Sequence, residues 1–122
     1  MERKENKDKK VQFYRIETRV VDNYEKVIKT YIHSKDSGGL WCYVRDLSEN
    51  ERFSARAVQV EETTQFKVVY NPKIVNELFL EYAGKTYDIV SIDGYEHNKS
   101  DLVIRANEIL APSYDEVRYE NY

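Results

Sequence analysis

Few residues of this chain are spaced for covalent chemistry. His33 ends an extended run, whereas His97 sits among Asp93, Glu96 and Asp101. That second group is carboxylate-rich, as a divalent-cation site would be, but its spacing follows no recognised ligand pattern, and a solvated hairpin tip is the simpler reading. Cys42, the only cysteine, shares a strand face with Leu40 and Val44, so it reads as a buried thiol and not as a nucleophile for His33. Glu61-Glu62 and Asp115-Glu116 are adjacent pairs, and neighbours on a strand point to opposite faces. No serine occupies a nucleophile elbow and no glycine-rich loop is built for phosphate. The residues predict no enzyme, no cofactor and no metal centre.

What the chain does carry is contact chemistry. Trp41, Tyr43 and Arg45 alternate along one strand face, and eleven tyrosines make the sequence rich in rings. Two readings compete. Exposed aromatics with a basic groove read single-stranded nucleic acid in small OB-type barrels. Alternatively the rings fill a core or a subunit interface, where Tyr, Trp and Arg are enriched. A formal net charge of -3 and a pI near 5.5 oppose the first.

The elements that must position these groups are strands. Val11 to Val21 is β-branched and aromatic, Asp22-Asn23 punctuates it, and Lys26 to His33 alternates, which predicts a hairpin. On the second strand Val27, Lys29 and Tyr31 take one face and Ile28, Thr30 and Ile32 the other. Ser34 to Gly39 is a loop, and Leu40 to Asp46 a third strand. Ser48-Glu49-Asn50-Glu51 has the form of a capping box, predicting a short helix toward Ala57. Extended character returns from Ala57 to Tyr70 and stops at Asn71-Pro72. Asn76 to Tyr82 and Thr86 to Asp93 make a hairpin across Ala83-Gly84-Lys85, and a last strand from Leu102 to Asn107 turns Leu102, Ile104 and Ala106 inward.

Six or seven strands at this spacing predict an all-β fold, a small antiparallel β-barrel with one short helix or long loop. Residues 1–10 read as a flexible basic tail, 11–108 as the barrel domain and 109–122 as a Tyr-rich arm. The arm is either disordered or an extended arm that binds a neighbouring subunit, with Tyr114, Val117 and Tyr119 as anchors. The opening residues lack the apolar core of a secretion signal, and no apolar run approaches the ~20 residues that span a bilayer. A protein that stays soluble, with no membrane contact, is the expectation.

Four pieces in order carry a family resemblance: Trp41-x-Tyr43-Val44-x-Asp46-Leu47-Ser48, Phe53-x-Ala55-x-x-Val58-Gln59, Glu62-Thr63-Thr64-x-Phe66-x-Val68, and Glu81-Tyr82-Ala83-Gly84-Lys85-Thr86-Tyr87-Asp88-Ile89-Val90-x-Ile92. The segment from Leu40 to Glu108 resembles the head closure (head–tail joining) proteins of long-tailed bacteriophages. Those proteins often carry an arginine where this chain has Val69 and a cysteine where it has Ala106.

The resemblance implies a structural part of the phage head–tail connector, which closes the DNA exit after packaging and offers a platform to the tail. It implies a ring of about twelve subunits, each using two different complementary patches, with the protein monomeric when alone. The implied partners are a portal or adaptor ring above, a tail completion or tail tube protein below, and the packaged double-stranded DNA. Such a protein is made in the bacterial cytoplasm and ends in the virion. On this reading Asp46, Ser48, Glu49, Asn50, Glu51, Arg52 and Arg56 face the channel, and Trp41, Tyr43, Arg45, Tyr114 and Tyr119 contact subunits or partners.

Overall fold

Alternation of apolar and polar residues sets the architecture. The structure, a computed structural model, describes residues 6–46, 64–94 and 101–120. Among these it is all-β, with eight strands and a single 3₁₀ turn at Lys35–Ser37. β1 (Lys9–Val21) and β2 (Tyr24–Tyr31) form the first hairpin, closed by Asp22 and Asn23 at φ of 49° and 71°. Left-handed conformations at both central positions give the turn whose twist matches the flanking strands, and Asp and Asn tolerate them best after Gly. β3 (Leu40–Asp46), β4 (Thr64–Val69), β5 (Phe79–Tyr82), β6 (Lys85–Gly94), β7 (Asp101–Ile109) and β8 (Glu116–Tyr119) follow. The β5–β6 hairpin turns on Ala83 and Gly84, again both left-handed.

β1 joins the sheet to itself. Its first residues pair with β3 (Lys9 to Val11), its middle with β5 (Gln12 to Tyr14) and its outer part with β2 (Tyr14 to Val21). The order β1–β3–β4–β7–β6–β5 therefore returns to β1, making a closed ring of six antiparallel strands. Closure removes the exposed edges that invite aggregation. Gly39 makes the approach possible: a Cβ there would lie 2.3 Å from the Val11 carbonyl oxygen.

The ring is filled from the inward register positions. Val11, Phe13, Cys42, Phe66, Leu80, Ile104 and Ala106 are all fully buried, and Phe66 meets Tyr87 edge-on at 5.1 Å. Leu102, Ile104 and Ala106 face inward as predicted. Cys42 is likewise sealed in this core, and burial pushes its thiol up to about 12.

Two features differ from the sequence expectation. β1 begins at Lys9, inside the stretch read as a tail. The Tyr-rich arm supplies an eighth strand, β8, which lies on β2 of its own chain and runs parallel to it. A four-residue strand this short has too little pattern to be read locally; its pairing comes from β2. The capping-box segment, Val58, Val60 and the Tyr95 to Ser100 tip, His97 included, lie outside the described residues.

Candidate functional site

The ring presents two outer faces with related chemistry. On the face made by β5, β1 and β2, the outward positions hold Phe79, Glu81, Tyr14, Lys29 and Tyr31. Cross-strand register places Tyr14 between Phe79 and Tyr31, so three rings line up across three strands. Tyr14 stacks on Phe79 at 5.5 Å and meets Tyr31 edge-on at 5.7 Å.

Lys29 sits in the middle of this face, only 5% exposed. A buried ammonium needs a partner and hydrogen bonds. Its Nζ donates to Glu81 Oε2 at 2.5 Å, while the Tyr31 hydroxyl donates to Glu81 Oε1 at 2.7 Å. The same Nζ lies 4.4 Å from the ring centre of Tyr14, 5.0 Å from that of Tyr31 and 4.8 Å from that of Tyr114. Three negative ring faces thus complete what one carboxylate begins. Burial, followed by the bonded Glu81 carboxylate, holds the Tyr31 hydroxyl well above the ordinary phenol range.

The C-terminal arm covers this face. Asp115 brackets Val27: its N–H donates to the Val27 carbonyl at 2.8 Å, and its carboxylate accepts from the Val27 N–H at 2.9 Å. Tyr119 stacks on Tyr31 at 4.9 Å and meets His33 edge-on. Glu120 takes ion pairs from Arg15 and from Lys73, the second at 3.1 Å. Burial alone would raise the Glu120 carboxyl, but these two cations outweigh it and hold it low. His33 is buried beneath the arm, and among the described residues neither ring nitrogen meets a hydrogen-bond partner. Desolvation, with Lys10 adding to it and Glu81 opposing, lowers its pKa.

The other face, made by β3 and β4, is open. Trp41 is 56% exposed and Val69 59%. Tyr43 and Arg45 stand beside Trp41, half-buried, opposite Lys67 and Gln65 of β4. Lys10 lies opposite Trp41 on β1 and places its Nζ 4.5 Å from the indole ring centre. Lys10 is itself steadied by donating to the Ser37 carbonyl.

The structure thus brings Trp41, Tyr43 and Arg45 onto one face and puts Tyr114 and Tyr119 on another. Asp46 ends β3 opposite Thr64, so the chain between them leaves and re-enters the ring at adjacent strands. Ser48, Glu49, Asn50, Glu51, Arg52 and Arg56 lie outside the described residues. Tyr14 and Tyr31 are buried and so are not open to stack on bases. Sequence reasoning missed Lys29 and Glu81. The available signal was a lone cation between Val27 and Tyr31 on one strand face. Among the described residues no group of His, Cys, Asp and Glu is placed to hold a metal ion, and no helix is long and apolar enough to cross a membrane.

Comparison with known proteins accounts for the ring. The solution structure of protein SF1141 from Shigella flexneri 2a matches with a TM-score of 0.59 over 82% of this chain and 90% of that one, at 17% identity, which speaks to the fold alone. No curated protein matches. The family model for the phage head completion protein matches residues 5–109, which takes in the six strands of the ring and the β1–β2 hairpin and stops short of the arm. It lends no support to a single-strand-binding barrel. With so much of its length matched, this chain belongs to the phage head completion protein family.

Proposed function

We propose that the protein is the part of a tailed-phage head–tail connector that closes the DNA exit after packaging and then receives the tail. Family membership gives it a structural role in the phage head, and that match over residues 5–109 is the observation that carries the proposal. The finer reading draws support from the division between a filled ring and exposed contact groups. A subunit of a ring needs two unlike patches that meet head to tail. The open Trp41, Tyr43 and Arg45 face supplies one, and the arm bearing Tyr114 and Tyr119 supplies the other.

In this reading about twelve copies close into a ring between portal or adaptor above and tail proteins below. The segment from Asp46 through Ser48, Glu49, Asn50, Glu51, Arg52 and Arg56 points into the channel. Its charges are of mixed sign, so it obstructs DNA by bulk and does not grip phosphate, which would call for a run of cations. Chemistry here is contact: apolar and aromatic surface removed from water, with ion pairs fixing the register.

Removal of the gene from its phage tests the proposal. Packaged heads are expected to lose their DNA and to remain without tails. Filled heads that stay stable and acquire tails would overturn it. Deleting Glu49 to Ser54 alone is expected to give particles that assemble yet leak DNA, and retention of DNA there would remove the channel assignment.

A further inference from the structure

We propose that β8 is an exchangeable strand: in the assembled ring the C-terminal arm of one subunit adds to β2 of the next. This deepens the ring reading and rests on it.

Four observations lead there. First, the arm lies beyond the family match, which ends at residue 109, so the ring is complete without it. Second, β2 pairs with β1 along one side, and the arm alone among the described residues takes its other side. An unpaired strand edge is a template for another strand. Third, the arm is held by groups that work equally well from a second copy. Backbone bonds to Val27 and Tyr31, the Lys26–Glu116 ion pair at 2.6 Å and the Tyr119–Tyr31 stack all depend on local geometry. None reaches the apolar filling of the ring.

Fourth, the connector between β7 and the arm is largely exposed, held at Tyr114 by Lys29, and long enough. Leu110 is 93% exposed, and Ala111, Ser113 and Tyr114 are exposed too. Pro112 keeps Ala111 extended and fixes its own φ, which opposes a tight fold-back. Residues Leu110 to Tyr114 span up to about 18 Å when extended, enough to reach an adjoining subunit. Exchange of an identical element replaces each contact by its copy, so the balance is set by connector geometry and by local concentration. A ring raises that concentration, and a head-to-tail donation by every subunit closes with the ring.

The test is a full-length K26C/E116C variant, treated with a short bis-maleimide both at high concentration in solution and in filled heads. These positions face each other across the β2–β8 pair. Cys42 stays out of the reaction because it is buried and its thiol is pushed up to about 12. The expected result on a denaturing gel is a ladder of covalent multimers extending past the dimer. Products that stop at the dimer would support exchange but contradict the ring. Single-chain products from protein that sediments as a ring would overturn exchange and leave the ring reading intact. Single-chain products from protein that never associates would overturn both.

Discussion

The two outer faces of the ring are built from the same residue types and meet different fates. On one, Lys29 is enclosed by Tyr14, Tyr31 and Tyr114 and paired with Glu81. On the other, half-buried Lys10 rests over an exposed Trp41. Residue type does not separate them; each is a strand cation that meets aromatic rings from other strands. What separates them is the tail from Leu110 to Glu120, which returns to lie over the first face and not over the second. An enclosed cation–aromatic group tightens the chain on itself. The exposed version contributes little to folding and remains available to a partner. In the isolated subunit, substitutions on the covered face should therefore be read out as stability, and those on the open face as association.

The largest effect is expected at the covered face. Glu81→Ala leaves Lys29 buried without its carboxylate and should cost about 1.5–3 kcal/mol in urea unfolding, the range for hydrogen bonds to charged groups. Replacing both partners together, as K29M/E81L, should recover most of that loss, because the desolvation cost disappears with the pair. A double variant as unstable as the single one would mean that the pair is not the centre of this face. Next comes Tyr119→Ala, which removes the stack on Tyr31. A loss of about 1 kcal/mol is expected, the usual worth of an aromatic pair beyond its area. Hydrogen exchange should show the loss confined to the arm and β2, and faster exchange in β7 would argue against separate layers.

A smaller effect depends on pH. His33 is held neutral by burial, with Lys10 nearby opposing its protonation, Glu81 favouring it, and the rings of Tyr31 and Tyr119 against it. Its folded pKa lies below the ordinary 6.5, so between those two values the unfolded chain binds more protons. Stability should be full above pH 6.5 and fall as pH drops toward the lowered value. Glu120 acts in the same direction but lower, its contribution being lost as pH falls from 4.5 through its own depressed value. Substituting His33→Phe should flatten the upper part of the profile in chemical denaturation, and an unchanged slope would place the titration elsewhere. The smallest stability effect is expected for Trp41→Ala. Loss of an exposed cation–aromatic contact costs about 0.5–1 kcal/mol, while association with partners should fall markedly.

How much of this was legible in the sequence follows from the range of the interactions. The Asp22-Asn23 and Gly84 turns and the inward set Leu102, Ile104 and Ala106 are local, and local rules read them. Cys42 was legible for the same reason, from the alternation around it. The closure of β1 onto β3 and β5 joins residues far apart in sequence, and alternation carries no record of partners. Lys29 is a residue type that belongs to surfaces, and its burial depends on Glu81, Tyr114 and Tyr119 arriving from elsewhere. The arm was legible as Tyr-rich, with disorder and an extended form both open; its parallel return to β2 was not legible, because four residues hold too little pattern to fix a register. The Trp41, Tyr43 and Arg45 face was read directly, since a single strand presents it.

The open face carries the functional claim, and one measurement addresses it: the nuclease-resistant DNA retained when heads lacking this protein are packaged in the presence of the purified chain, as wild type or as Trp41→Ala of matched folded stability. Wild type is expected to bind and protect the DNA, and Trp41→Ala to bind weakly and leave it exposed. Equal protection by both would remove Trp41 from the contact, and failure of the wild type to protect would contradict closure of the DNA exit itself.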